Sequence, residues 1–284
     1  MSDSILNGVI SNAHRANPER GNDYIGENGL LYCGKCHTPK QCFITHNGAN
    51  MIVPCVCDCK KQEFENDRQH EENVKRAERI KQNRRVAFSS IIMQEYVFST
   101  DKDKNNDSSK LLRAYASTFD PTSSKWLLLY GNCGTGKSFL AACVCNSVID
   151  KGFTARFTSV SELSNALWDS QNSRQEIFKK ISNYDLLVLD DLYSERDTSY
   201  MQEVVFNIID TRYRCKKPLI ITTNLSPQQI GNPKGIEQER IFSRIYENSL
   251  PIKITGKDKR KETMMNTAQA ELNKLLKYCQ DNTL

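Results

Sequence analysis

The stretch that most constrains this chain is Gly131-Asn132-Cys133-Gly134-Thr135-Gly136-Lys137-Ser138, followed by Phe139. It fits the P-loop pattern G-x-x-x-x-G-K-[ST]. Its setting is more telling than the pattern. The apolar run Trp126–Tyr130 leads into it as a buried strand would, and a helix-compatible run leaves it at Lys137. Glycines let the backbone wrap a phosphate chain with its N–H groups pointing inward. The following helix adds the positive end of its dipole. Lys137 can then reach outer phosphates as a point charge, and Ser138 can place its hydroxyl on Mg²⁺. The structural alternative is a Gly-rich turn before a buried helix. The setting favours a nucleoside triphosphate site with Gly131–Phe139 as its contact residues.

From Trp126 onward, strand and helix patterns alternate, which predicts a parallel α/β sheet. Strands are expected at Trp126–Tyr130, Phe153–Val160, Asp185–Asp190, Pro218–Thr223 and Pro251–Thr255. Helices are expected at Lys137–Lys151, Ser161–Ile181, Ser199–Lys216 and Glu237–Asn248, with a further helix ahead of the sheet at Lys110–Phe119. In Asp185-Leu-Leu-Val-Leu-Asp190-Asp191 the apolar run ends in carboxylates, at the sheet edge where open α/β folds bind ligands. Asp190 suits support of Mg²⁺, and Asp191 suits orientation of an attacking water; Asp191 also reads as a helix cap. Ile220-Ile-Thr222-Thr-Asn224 ends a further strand in an amide that can hold water or a γ-phosphate, or simply make a turn. Arg240 and Arg244 lie four residues apart on one helix face. Each can aim a guanidinium at a γ-phosphate or make a surface ion pair. The basic run after Thr255 ends near Arg260, which either meets nucleotide or is solvated.

Six of the eleven cysteines cluster at one end of the chain. Cys33-Gly-Lys-Cys36 is followed about twenty residues later by Cys55-Val-Cys57-Asp-Cys59, a zinc-ribbon-like spacing. Two thiolates on each of two knuckles complete a tetrahedron, and the metal supplies the folding energy of a segment with little apolar core. The second half is C-x-C-x-C, so Zn²⁺ would take Cys33 and Cys36 with two of the remaining three. Cys57 and Cys59 are the first choice and Cys55 the alternative; Cys42, His37 and His46 are fallbacks. The alternative is a set of free thiols. The odd count argues against a disulfide framework, and the dispersed cysteines read as small apolar residues.

Residues 60–85 carry nine positive and six negative side chains without Gly or Pro, as in a solvated connecting helix. The excess of Lys and Arg from Lys75 onward could also touch nucleic-acid phosphates. No apolar run reaches the length of a membrane span, and residues 1–8 lack a leader pattern, so a cytoplasmic protein without membrane contact is expected. The net charge of +5 permits nucleic-acid contact without requiring it.

Taken together, residues from about Phe98 to Arg260 resemble the AAA+ ATPases of the DnaC/DnaI helicase-loader and IstB group. The resemblance rests on Leu-Tyr-Gly-Asn-x-Gly-Thr-Gly-Lys-Ser, Leu-Leu-Val-Leu-Asp-Asp-Leu192, Thr-Thr-Asn-Leu225-Ser226 and Arg-Ile-Phe-Ser-Arg. The cysteine segment is similar to the N-terminal zinc-binding region of phage and plasmid loaders. The resemblance implies an ASCE-type P-loop domain with a five-stranded parallel sheet and flanking helices, preceded by a small zinc-binding domain and a charged helical linker. Expected boundaries are a lead at 1–32, zinc segment 33–59, linker 60–95, ATPase domain 96–262 and C-terminal helix 263–284. It also implies ATP with Mg²⁺ and homo-oligomeric rings or spirals. Arg244 would be the arginine finger on a neighbour's ATP, with Arg240 its backup, Asn224 sensor 1 and Arg260 sensor 2. Single-stranded DNA would meet Ser161–Ile181, where Arg174, Lys179 and Lys180 lie, and the N-terminal domain would grip a replicative hexameric helicase. Asp191 stands where many AAA+ enzymes carry Glu, which implies slow hydrolysis. The expected function is ATP-dependent helicase loading. An IstB-type transposition helper, a non-hydrolysing ATP-gated adaptor and a P-loop nucleotide kinase are the alternatives.

Overall fold

The structure, a computed structural model, describes residues 22–46, 48–168, 174–193, 198–233, 235–258, 271–274 and 278. It divides into two compact units, Met1–Ala77 and Glu78–Leu284.

In the first unit, two small antiparallel ribbons precede a long helix. Strands β1 (Tyr24–Ile25) and β2 (Leu31–Tyr32) pair, as do β3 (Gln41–His46) and β4 (Ala49–Pro54). Neither ribbon is read from periodicity, because each is short and largely exposed. Helix α1 (Asp58–Ala87) runs 30 residues, and its exposed face is laced by Lys60–Glu63, Lys61–Asp58, Arg68–Glu65 and Lys75–Glu71 pairs. Such exposed pairs are screened by solvent and add little to stability. The division between units falls inside this helix.

The second unit is an α/β sandwich. Short helix α2 (Ile91–Gln94), a 3-10 turn at Phe98–Thr100 and α3 (Asp107–Ser117) lead into β5 (Trp126–Tyr130). Helix α3 starts three residues earlier than its apolar spacing predicts, because the Asn106 side chain accepts from Ser108 N and caps it. Then come α4 (Lys137–Asp150), β6 (Ala155–Ser159), α5 (Val160–Trp168), α6 (Arg174–Asn183), β7 (Leu186–Leu192), α7 (Ser199–Cys215), β8 (Leu219–Thr223), α8 (Pro227–Ile230), α9 (Ile236–Asn248) and β9 (Ser249–Lys253). The single helix expected over Ser161–Ile181 is instead two helices with separate buried faces: Val160, Leu163 and Ser164 on α5, Ile177 and Ile181 on α6. Strand β9 begins two residues before its predicted start, because α9 runs directly into it. Pro251 is tolerated there since β9 is an edge strand. The expected closing helix lies mostly outside the described residues.

The sheet is parallel, in the order β6-β7-β8-β5-β9. Strand β8 therefore lies between β5, which feeds the phosphate loop, and β7, which ends in Asp190-Asp191. Both sheet faces are covered. One core gathers Leu127, Leu129, Val144, Ile149, Val188 and Ile220 around α4. The other gathers Leu128, Leu187, Ile208, Ile221, Ile241 and Ile245 around α7 and α9. Arg212 on α7 is fully buried. It donates to the carbonyls of Ile181, Tyr184 and Pro218. Burial holds its guanidinium below the usual arginine range, to about 10.

Candidate nucleotide site and cysteine centre

The phosphate loop spans the gap between β5 and α4. Gly131, Gly134 and Gly136 have φ values of 151°, 78° and 98°. Gly134 and Gly136 thus hold left-handed conformations that L side chains rarely adopt. Lys137 is 5% exposed, and its ammonium donates to Gly131 O at 3.0 Å, Asn132 O at 2.8 Å and Asn224 Oδ1 at 2.7 Å. Because β8 is the neighbour of β5, the amide at its end reaches the loop lysine. Phe139 packs its ring 5.1 Å from Tyr96, while Cys133 is exposed. The exposure of Cys133 departs from the reading of dispersed cysteines as apolar filling, which Cys143 and Cys145 do satisfy.

On the other side of β8, Asp190 and Asp191 share one partner. The register pairs Leu189 with Ile221 and Leu192 with Thr223, with an irregularity between. That bulge sets Asp190 and Asp191 together beside Thr222. The Thr222 hydroxyl donates to Asp190 Oδ1 at 2.5 Å and accepts from Asp191 N at 2.8 Å. Asp191 has φ 53°, a strained conformation for a non-glycine residue. Burial pushes the Asp190 carboxyl above its ordinary range, and the charge of Asp191 adds to this; the hydroxyls of Thr222 and Ser138 and the Lys137 ammonium pull it back. Thr222 is the site residue that sequence reasoning passed over, since threonine in a strand reads as an ordinary β-former.

Asp190 and the Ser138 hydroxyl are therefore neighbours, and hard oxygen donors of this kind suit Mg²⁺. An open polar cleft of about 600 Å³ adjoins the loop, lined by Lys102–Asn106 and Thr255–Lys257. The two arginines on α9 are placed differently. Arg240 is exposed. Arg244 turns onto α7, where Nη2 meets Asp210 Oδ1 at 2.8 Å and the guanidinium lies over Phe206 and Tyr213. Its Nη1 is buried with no hydrogen-bond partner. Arg260 lies outside the described residues.

In the first unit the sulfurs of Cys33, Cys36, Cys57 and Cys59 lie within 4.8 Å of one another. Two of the separations, Cys33–Cys59 and Cys57–Cys59, are 3.5 Å. A tetrahedral Zn²⁺ with bonds of about 2.3 Å needs sulfurs about 3.8 Å apart, so the donor set fits. The first knuckle is a tight turn closed by His37 N to Cys33 O at 2.8 Å. The second is the start of α1: Cys57 precedes the helix and Cys59 is its second residue. This explains why C-x-C serves where a hairpin knuckle would need C-x₂-C. Cys55 lies outside the cluster and donates to Pro39 O. The thiols compete for charge. A hydrogen bond from Thr38 and backbone N–H groups hold Cys36 down to about 5, while its sulfur neighbours, Cys57 first, push Cys59 up to about 12.

Residues 60–267 match the family described as IstB-like ATP binding protein. The replicative helicase loader DnaC of Escherichia coli K12 is 28% identical over 160 residues, covering 51% of this chain and 64% of that protein. The replicative helicase loader DnaI of Bacillus subtilis strain 168 is 27% identical over 150 residues, covering 48% of each. The matched region thus spans less than two thirds of either relative. A crystal structure of the DnaC helicase loader aligns with a TM-score of 0.52 at 28% identity, covering 58% of this chain and all of that one.

Proposed function

The chain belongs to the IstB-like ATP binding protein family, and from that premise we propose that it is an ATP-dependent loader of a replicative DNA helicase. The observation that carries this reading is the likeness of its P-loop unit to the helicase loaders, joined in one chain to a four-cysteine centre. An IstB-type transposition helper would share the P-loop unit but has no need of that centre, and a nucleotide kinase would have no need of Asp191 and Asn224 beside the phosphate loop.

In this reading the backbone of Gly131–Ser138 cradles the phosphates, and Lys137 exchanges its carbonyl and Asn224 partners for phosphate oxygens. Ser138 and Asp190 are the residues to hold Mg²⁺, which would neutralise charge on the β- and γ-phosphates. Asp191 orients the attacking water as general base, and Asn224, released from Lys137, steadies that water or the γ-phosphate. Arg244, once released from Asp210, or the exposed Arg240 serves a neighbouring subunit's site in a homo-oligomer, with Arg260 as a further candidate contact. Cys33, Cys36, Cys57 and Cys59 bind zinc and fold the helicase-facing unit. Support for single-stranded DNA contact comes from Trp168 at the end of α5. It is 80% exposed and stands edge-on to Tyr200, ring centroids 6.1 Å apart, and Arg174 at the start of α6 pairs with Glu203 on the same helix α7 that carries Tyr200. An exposed indole resting on a half-buried tyrosine suits base stacking.

The test is capture of a purified hexameric replicative helicase by the full chain, with ATP turnover measured with and without single-stranded DNA. Helicase capture with DNA-responsive turnover is expected. Failure to bind helicase, or phosphate transfer to a small acceptor, would refute the loader reading.

A further inference from the structure

The segment after β9 is laid along the phosphate loop. Ile254 N donates to Tyr130 O at 2.8 Å, and Ile254 O stands 2.3 Å from where a side chain on Gly131 would begin. Two residues on, a Cβ built on Gly256 would lie 3.9 Å from the Thr135 carbonyl oxygen. Asp258 then turns its carboxylate into the loop. Its Oδ1 and Cγ lie 2.0 and 2.3 Å from the position a Cβ would take on Gly134. The acid therefore occupies the volume that glycine leaves open at 134, and any side chain there would collide with it.

A loop of this pattern attracts anions through its backbone N–H groups, and here it leads into the N-terminus of a 14-residue helix. A carboxylate is an anion that the chain itself can supply. Two anions in contact repel strongly, so the carboxylate and a polyphosphate cannot both rest against this loop. We infer that Asp258 is an internal competitor of the nucleotide, whose carboxylate must leave Gly134 before phosphates settle. The displaced segment has somewhere to go. Thr255, Gly256 and Lys257 border the 600 Å³ polar cleft that Lys102, Asp103 and Lys104 also line, so its cations outnumber its one acid three to one. A carboxylate moving toward those ammonium groups exchanges one favourable field for another. ATP affinity is thus set by an exchange of anions, and movement of residues 255–258 accompanies binding. The inference rests on the reading of Gly131–Ser138 as the nucleotide site.

The test compares binding of a fluorescent ATP analogue, with Mg²⁺, by the full-length wild type and by Asp258→Asn and Asp258→Ser. Both neutral variants are expected to bind roughly tenfold tighter at low salt. That gain should shrink as ionic strength rises from about 50 to about 500 mM, because screening weakens the repulsion being removed. Pyrophosphate should compete more strongly against the variants than against wild type. If wild type binds nucleotide and both variants bind equally or more weakly, the inference is overturned while the nucleotide site stands. If none of the three binds, the phosphate-loop reading falls and takes the inference with it.

Discussion

The Lys137 ammonium donates a 2.7 Å hydrogen bond to Asn224 Oδ1, joining the loop after β5 to the end of β8. The same ammonium holds the carbonyls of Gly131 and Asn132. These are contacts a γ-phosphate would replace, so phosphate binding and release of Asn224 are one event. Asn224→Ala should leave nucleotide binding within about threefold and lower turnover roughly a hundredfold, the scale of losing one aligned polar group at a reacting centre. Lys137→Ala should abolish binding itself. Parallel binding and turnover measurements separate the two; unchanged turnover in Asn224→Ala would remove that amide from the site.

Asp190 should make stability and function oppose each other. Burial raises its carboxyl above the ordinary 3.8, so the folded state favours the protonated acid. That contribution is complete below 3.8 and is lost as pH rises through the raised value, leaving a buried charge that the fold must carry. Asp190→Asn keeps an acceptor for Thr222 and drops the charge. Nucleotide-free Asp190→Asn should therefore resist urea better than wild type, by a margin wider at about pH 8 than at about pH 4.5. ATP turnover should vanish. A margin that is absent, or that narrows with rising pH, would refute this.

Thr222 bridges the two acids, donating to Asp190 and accepting from the Asp191 backbone N–H at the bulge. Thr222→Val is close in shape but leaves both groups without that partner. It should cost about 1–3 kcal/mol in denaturant unfolding, with turnover reduced. Thr222→Ser should restore most of both.

The contrast with Thr222 shows what could be read from the chain. Buried parallel strands read as apolar runs, so β5, β7 and β8 and the carboxylates at their edge were legible. The partnership of Thr222 was not, because it depends on a register shift between β7 and β8. Arg212 was invisible for a similar reason. On an amphipathic helix it reads as a solvated charge, yet it is fully buried among three carbonyls from two segments. The approach of Asp258 to Gly134 joins residues more than a hundred positions apart, beyond any local pattern.

Among the cysteines, position relative to α1 separates ligand from bystander. Cys57→Ser should lose bound zinc measured by atomic emission, and should melt the first unit while leaving nucleotide binding by the second unchanged. Cys55→Ser, whose sulfur faces the Pro39 carbonyl, should keep one zinc per chain. Equal loss in both variants would mean that the four-sulfur grouping is not the metal centre.

Trp168 offers the sharpest test of nucleic-acid contact, because its ring is 80% exposed and meets Tyr200 only at its edge. An indole left in water gains little for the fold, so Trp168→Ala should change stability by less than about 0.5 kcal/mol. Stacking on a base contributes about 1–3 kcal/mol per ring, so the same change should weaken single-stranded DNA binding roughly five- to 150-fold. Trp168→Phe should recover much of the loss, since a π-face remains. Arg174→Gln should instead flatten the salt dependence of binding, as expected of a phosphate contact. Fluorescence anisotropy of a labelled oligothymidine across a salt series reads both effects. DNA affinity unchanged in Trp168→Ala would remove this indole from the proposed DNA contact.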